Sequence, residues 1–195
     1  TEKPVRDRTG RDLGNINDLW LDFRTGASFF VLLSVSPELG AEYRRYAIPI
    51  GAFELNTRNF FISYNIHRYG LGSVSALKGT ETDIKSESRY QELVEYWNGS
   101  RTGIMLQAGM QTLPTSVISF SEVTGYSVLN MEGSGVGDIV DFTVSRNGDV
   151  DYGVVDIGGF FDMSSRLSFI PLAAMDVYPN SLTVGLPVLL TELRN

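Results

Sequence analysis

Leu19, Leu21 and Phe23 alternate with Trp20 and Asp22, the two-residue period of a strand that buries one face. A tight turn, Arg24-Thr25-Gly26, follows, and then Phe29 to Val35, apolar and partly β-branched as expected of a strand that walls a core. Beyond the loop at Glu38-Leu39-Gly40 a third strand is predicted over Tyr43 to Ile48. Pro49 ends its ladder, because proline has no N–H to donate. Phe60-Phe61-Ile62 would complete the sheet. The same succession returns in the C-terminal half. Phe142 and Val144 lead into Arg146-Asn147-Gly148, where Asn-Gly suits a type I′ hairpin turn because both residues tolerate positive φ. Val150 to Ile157, the loop Gly158-Gly159-Phe160-Phe161, Arg166 to Ile170 and Leu182-Thr183-Val184 complete the second set.

The resemblance between the halves is positional. With Val5 set on Val128, an offset of 123 residues, Gly10 falls on Gly133, Gly14 on Gly137, Ile16 on Ile139 and Asp18 on Asp141. One residue drops out in the turn. At an offset of 122, Gly26 meets Gly148, Arg44 meets Arg166, Ile48 meets Ile170, Pro49 meets Pro171 and Ala52 meets Ala174. Apolar class survives where identity does not, as in Leu19/Phe142, Leu21/Val144, Phe30/Tyr152 and Leu32/Val154. One register with a single slip marks an internal repeat. Many short antiparallel strands in so few residues favour closure into barrels, which removes exposed edges. The expected fold is therefore mainly β: two small antiparallel β-barrels in tandem, over 1–64 and 115–195, joined by a linker over 65–114.

The linker has another texture. Ser88-Arg89-Tyr90-Gln91 has the spacing of a capping box, and Tyr90, Leu93, Val94 and Trp97 form one apolar stripe. Asn98-Gly99 is a helix stop signal. A short amphipathic helix over 89–97 is predicted, packed on a barrel or in the groove between the two. The preceding segment, Tyr69 to Glu87, is rich in Gly, Ser and Thr and reads as an irregular surface loop.

These residues resemble the PRC-barrel family, named for the photosynthetic reaction centre H subunit. The likeness rests on Gly14-Asn15-Ile16-Asn17-Asp18-Leu19-Trp20-Leu21-Asp22 with Thr25-Gly26, and on Ala47-Ile48-Pro49-Ile50-Gly51-Ala52-Phe53. It recurs in Gly137-Asp138-Ile139-Val140-Asp141-Phe142 with Gly148, and in Phe169-Ile170-Pro171-Leu172-Ala173-Ala174-Met175. Ser121-Glu122-Val123-Thr124-Gly125 is similar to a lead-in often seen in the family. The first copy lacks that lead-in, so its first strand is expected to be incomplete. The resemblance implies a small barrel used for assembly or protein binding, as in the reaction centre H subunit and in a ribosome-maturation factor that contacts a ribosomal protein; fold alone licenses no more.

Composition narrows the chemistry. Apolar residues make up 43% and charged residues 20% of the chain, as in a folded globular protein. A net charge of -7 with scattered basic residues argues against nucleic acid, whose phosphates need a Lys/Arg surface. Without cysteine there is neither a disulfide framework nor a thiolate, and the single histidine, His67, forms no ligand cluster. No apolar run has the length to span a bilayer. The chain opens on Thr1, without an initiator Met, and is expected to be a trimmed or processed product. Its compartment is then the cytoplasm or, if a leader was removed, outside it.

Asp18 and Asp141, which recur between the copies, are the acidic residues that invite a catalytic or metal-binding reading, with Asp22 as a partner carboxylate. Ser145 replaces Asp22 in the second copy, however, so a carboxylate pair would exist only once. A carboxylate that orders a turn fits the pattern better than acid/base chemistry, which needs two groups in divergent environments. Asp12, Asn15, Asn17, Asp18 and Asp22 lack the ligand spacing of an EF-hand. Gly133-Ser134-Gly135-Val136-Gly137 lacks the Lys-Ser/Thr and the following helix of a phosphate loop.

The sequence thus predicts a non-enzymatic protein-binding or scaffold module with no cofactor and no metal. Its barrels would pack as a pseudo-dimer bridged by the helix, with Tyr69, Trp97, Phe160 and Phe161 on the interaction surface. A protein partner is expected, and a homodimer is left open. The competing reading is a small-molecule or metal-binding sensor or a weak hydrolase that uses Asp18 and Asp22, with Asp141 as the second copy's carboxylate.

Overall fold

In a computed structural model, residues 3–35, 44–56, 61–64, 84–99, 106, 110–145, 148–158 and 166–188 are described. The chain divides into two compact units, Thr1–Trp20 with Ser28–Val117, and Leu21–Ala27 with Ile118–Asn195. The first copy supplies β1 (Lys3–Asp7), β2 (Asp12–Asp22), β3 (Ser28–Val35), β4 (Arg44–Pro49), β5 (Phe53–Asn56) and β6 (Phe61–Tyr64), followed by helix α1 (Glu87–Gly99). The second copy supplies β7 (Val117–Ser119), helix α2 (Phe120–Val123), β8 (Ser127–Leu129), β9 (Gly135–Val144), β10 (Val150–Ile157), β11 (Arg166–Pro171), β12 (Asp176–Tyr178) and β13 (Thr183–Gly185).

The repeat is a repeat of topology. Along its main path the first, seven-stranded sheet runs β4-β3-β2-β1-β6-β5, and the second, six-stranded sheet runs β11-β10-β9-β8-β13-β12, the same order. In each, the opening strand lies parallel to the last, Val5 beside Ile62 and Val128 beside Val184, while β3 with β4 and β10 with β11 run antiparallel. The repeated prolines behave alike. Pro49 and Pro171 close their strands and lead into single 3-10 turns, Ile50–Ala52 and Leu172–Ala174. β1 has five residues and β8 has three.

Within the first unit β3 is buried over nearly its whole length, both faces included. One face carries Val31 and Leu33, the other Phe30 and Leu32, and each of these four is almost fully buried. The second face is covered by α1. The Tyr90 ring meets Phe30 edge-on at 5.8 Å, and the Trp97 indole N–H donates to the Ala47 carbonyl at 3.2 Å. Tyr90, Leu93, Val94 and Trp97 are the buried stripe of the helix, as the sequence predicts. Burying side chains of this size stabilises by roughly 1.5–3 kcal/mol each, which is why a helix this short is held by packing and not by intrinsic propensity.

Two local expectations are corrected. The helix, Glu87–Gly99, runs two residues beyond its expected bounds of 89–97 at each end. Ser86 caps it, accepting the Arg89 N–H on its hydroxyl at 3.3 Å and the Tyr90 N–H on its carbonyl at 2.9 Å. Ser88 lies inside the helix, and Gln91 donates to the Glu87 carboxylate at 3.1 Å. The strict alternation expected along β2 also fails, because Trp20 is 2% exposed between buried Leu19 and Leu21. The Lys85 ammonium stands over its ring, 5.8 Å from the centroid.

In the second unit Val128, Ile139, Val150, Val155 and Val184 form the interior, with Leu172 and Met175 from the segment after β11. Phe142 stacks on Phe120 at 4.5 Å and meets Phe23 edge-on at 6.4 Å. The lead-in Ser-Glu segment is the short helix α2, capped by Ser119, whose hydroxyl accepts the Glu122 N–H at 3.3 Å. Among the described residues no helix is long and apolar enough to cross a membrane.

Candidate functional site

The repeated acidic residues are hydrogen-bonded into the local backbone. The Asp18 carboxylate accepts the N–H of Leu19 at 2.9 Å, and Asp141 accepts the N–H of Phe142 at 2.8 Å, the same bond in both copies. Their surroundings differ, Asp18 being buried and Asp141 exposed. Asp22 accepts the Arg24 N–H at 3.0 Å across the β2–β3 turn. Its counterpart Ser145 holds the β9–β10 turn by accepting the Asp149 N–H on its hydroxyl at 3.2 Å. Asp18 and Asp22 lie four residues apart on one extended strand, so their Cα atoms are separated by about 13 Å. A regular strand does not by itself bring two carboxylates so spaced onto one proton or ion. Among the described residues no group of three or more His, Cys, Asp or Glu is placed to hold a metal.

A further polar pair emerges that the identity-based register passes over. Asp7 stands where the second copy has Asn130, and each builds the turn after its opening strand. Asp7 Oδ1 accepts the N–H groups of Thr9 at 2.8 Å and Arg11 at 3.0 Å, and Asn130 Oδ1 accepts those of Glu132 at 3.0 Å and Ser134 at 2.9 Å. The backbone bonds match as well, Gly10 N–H to the Asp7 carbonyl and Gly133 N–H to the Asn130 carbonyl, both 2.9 Å. The phosphate-loop lookalike at 133–137 is thus a turn closed by Asn130 and leading into β9. Burial works to raise the Asp7 carboxyl, but the Thr9 hydroxyl, the two N–H groups and the Arg11 guanidinium outweigh it and hold the group below its ordinary value.

Of the residues expected on an interaction surface, Trp97 is fully buried and serves the packing of α1, so it presents no surface. Tyr69, Phe160 and Phe161 lie outside the described residues, as does His67. What the sequence reading missed is on β10 and β11: Tyr152 is 43% exposed, Leu167 60% and Phe169 62%. Phe30 and Ala47, the first-copy counterparts of Tyr152 and Phe169, are 0% exposed, whereas Arg45, the counterpart of Leu167, is itself exposed. The available signal was the contrast between Ala47 and Phe169 within otherwise matched strands, and the aspartates 151 and 156 that interrupt β10 where β3 has none.

No curated protein matches the chain. The PRC-barrel domain family model matches it twice, over residues 1–67 and 116–185, the two stretches that fold into the two like-ordered sheets. Domains of this family are generally protein-interaction or assembly modules. With the repeat present in sequence, topology and turn hydrogen bonds, the chain belongs to the PRC-barrel family as a tandem member.

Proposed function

We propose that this chain is a non-enzymatic protein-binding module of the assembly or scaffold kind. The observation that carries the reading is an asymmetry of exposure. Among the described residues, the large hydrophobic side chains left exposed, Phe169, Leu167 and Tyr152 among them, all belong to the second unit. Single exposed apolar residues are ordinary, whereas their concentration on one unit supports a contact surface there. The polar residues that recur between the copies support the same reading, because their hydrogen bonds fall within the turns and strand entries of their own copy.

The test is purification of the full-length product from its native cell, followed by reconstitution from separately purified components. The expected result is a stoichiometric protein partner that rebinds in vitro. Robust turnover of a small-molecule substrate, or a stoichiometric cofactor found by native mass spectrometry, would overturn the reading.

A further inference from the structure

Strands β10 and β11 of the second unit have a face that in the first unit is covered by a helix. Directly paired residues of an antiparallel ladder point to the same side. In the first unit the pairs Phe30–Pro49 and Leu32–Ala47 line the face on which α1 rests. The matching pairs in the second unit are Tyr152–Pro171 and Val154–Phe169, followed by Asp156–Leu167. No part of α1 is available to them, because its apolar stripe is already buried in the first unit. Phe169 stands 62% exposed and Tyr152 43% as a result, and Leu167, where the first copy has the exposed Arg45, extends the apolar row.

We propose, building on the protein-binding reading, that this face of β10 and β11 is the docking site for one amphipathic helix of a partner protein, seated as α1 is seated on β3 and β4. Two features define the chemistry of that helix. In the first unit Trp97 reaches the carbonyl of Ala47, which a small side chain permits. Phe169 fills the equivalent place, so the partner helix carries a small residue opposite it and offers its large apolar residues to Tyr152 and Leu167. The flank supplied by β9 is acidic. Asp141 lies in the row of Val154 and Phe169, and Asp138 in the row of Asp156 and Leu167. The helix therefore carries Lys or Arg along that side. A second copy of this chain fits poorly, since the outward residues of α1 include the exposed Glu87, Glu92 and Glu95, and the chain as a whole carries a charge of -7.

The probe is a fluorescein-labelled, stapled helical peptide with the Glu87–Gly99 sequence carrying Glu87→Lys, Glu92→Lys, Glu95→Lys and Trp97→Ala. Titrated with the full chain and followed by anisotropy, it is expected to bind saturably and more weakly as salt is added. The unaltered peptide is expected to bind less well. Phe169→Thr and Leu167→Thr keep strand propensity and remove exposed apolar area, and each is expected to weaken probe binding about tenfold. Leu182→Asp, at an exposed turn away from the paired rows, leaves binding unchanged. All three variants are expected to melt with the wild type, because each replaced side chain is at least 60% exposed. Equal probe affinity for the wild type and the two Thr variants would overturn this face as the site and leave the protein-binding reading standing. Absence of saturable binding would overturn the helix as occupant. If the wild type then also sediments as a dimer that Phe169→Thr dissociates, the occupant is a second copy.

Discussion

A side chain on Gly14 would run into the backbone of Ser34: a Cβ built there lies 1.9 Å from the Ser34 carbonyl oxygen. Gly137 stands in the same relation to Asp156, at 2.0 Å. The obstacle in each case is the neighbouring strand's main chain, so relief requires the strands to separate. Gly14→Ala and Gly137→Ala should each cost about 3 kcal/mol or more, read as a lower midpoint in denaturant unfolding. Gly135→Ala is the control. It meets nothing within 4 Å and has no positive φ, so it should leave the midpoint unchanged.

Asp7 and Asn130 predict a pH dependence confined to one copy. The folded Asp7 carboxyl is held below its ordinary value of 3.8. Its contribution is therefore fully present above that value and is lost as pH falls through the lower, folded value. Asp7→Asn should keep both turn hydrogen bonds, as Asn130 does, and flatten this part of the acid-unfolding curve. Asp7→Ala should cost about 1–2 kcal/mol at neutral pH through two unmade bonds to backbone N–H groups. Unfolding curves of the three proteins between pH 2 and 7 distinguish these outcomes. Asp7→Asn losing as much at pH 7 as Asp7→Ala would mean that charge, not acceptor geometry, holds the turn.

Much of this was legible in the sequence because the repeat is written in residues whose demands are local. Proline ends a strand, and glycine is required where a neighbouring backbone comes close, whatever else surrounds them. Pro49/Pro171 and Gly14/Gly137 therefore report the fold directly. The pairing of Asp7 with Asn130 was hidden because the residues are not identical, although both present the same acceptor oxygen. The burial of Trp97 and the exposure of Phe169 were beyond reach for a different reason. Periodicity says that a position is apolar, and it does not say which element covers it. Ser88 attracted the helix start because Gln91 completes a capping pattern, yet Ser86 makes the bonds since the turn before Tyr90 is already helical.

The helix that covers the first sheet should be sensitive to alkali. The Tyr90 hydroxyl is buried and donates to the Met110 carbonyl at 3.0 Å. Burial, reinforced by Glu87, pushes its pKa up to about 12 from 10.0. The folded value is raised, so the contribution is present below pH 10 and is lost as pH rises through about 12. Tyr90→Phe should cost about 1 kcal/mol at pH 7, leaving the Met110 carbonyl without its donor, and should remove part of the stability loss between pH 9 and pH 11. Thermal melts of wild type and variant at those two pH values, followed by near-ultraviolet circular dichroism, make the comparison.

Asp22 and Ser145 give the sharpest separation of architecture from chemistry. Each sits at the start of a hairpin turn and accepts a backbone N–H on its side chain, from Arg24 and Asp149 respectively. What the position requires is an acceptor on a short side chain; a negative charge is optional. Asp22→Ser should therefore stay within about 0.5 kcal/mol of the wild type, whereas Asp22→Ala, which removes the acceptor, should cost about 1 kcal/mol. Because Asp22 lies about 13 Å along the strand from Asp18, its effect should also be additive with that of Asp18→Asn. A double-mutant cycle measured by denaturant unfolding is expected to give a coupling below about 0.5 kcal/mol. A coupling of 1 kcal/mol or more would mean that the two carboxylates act on a common proton or ion after all, and would restore the acidic-site reading.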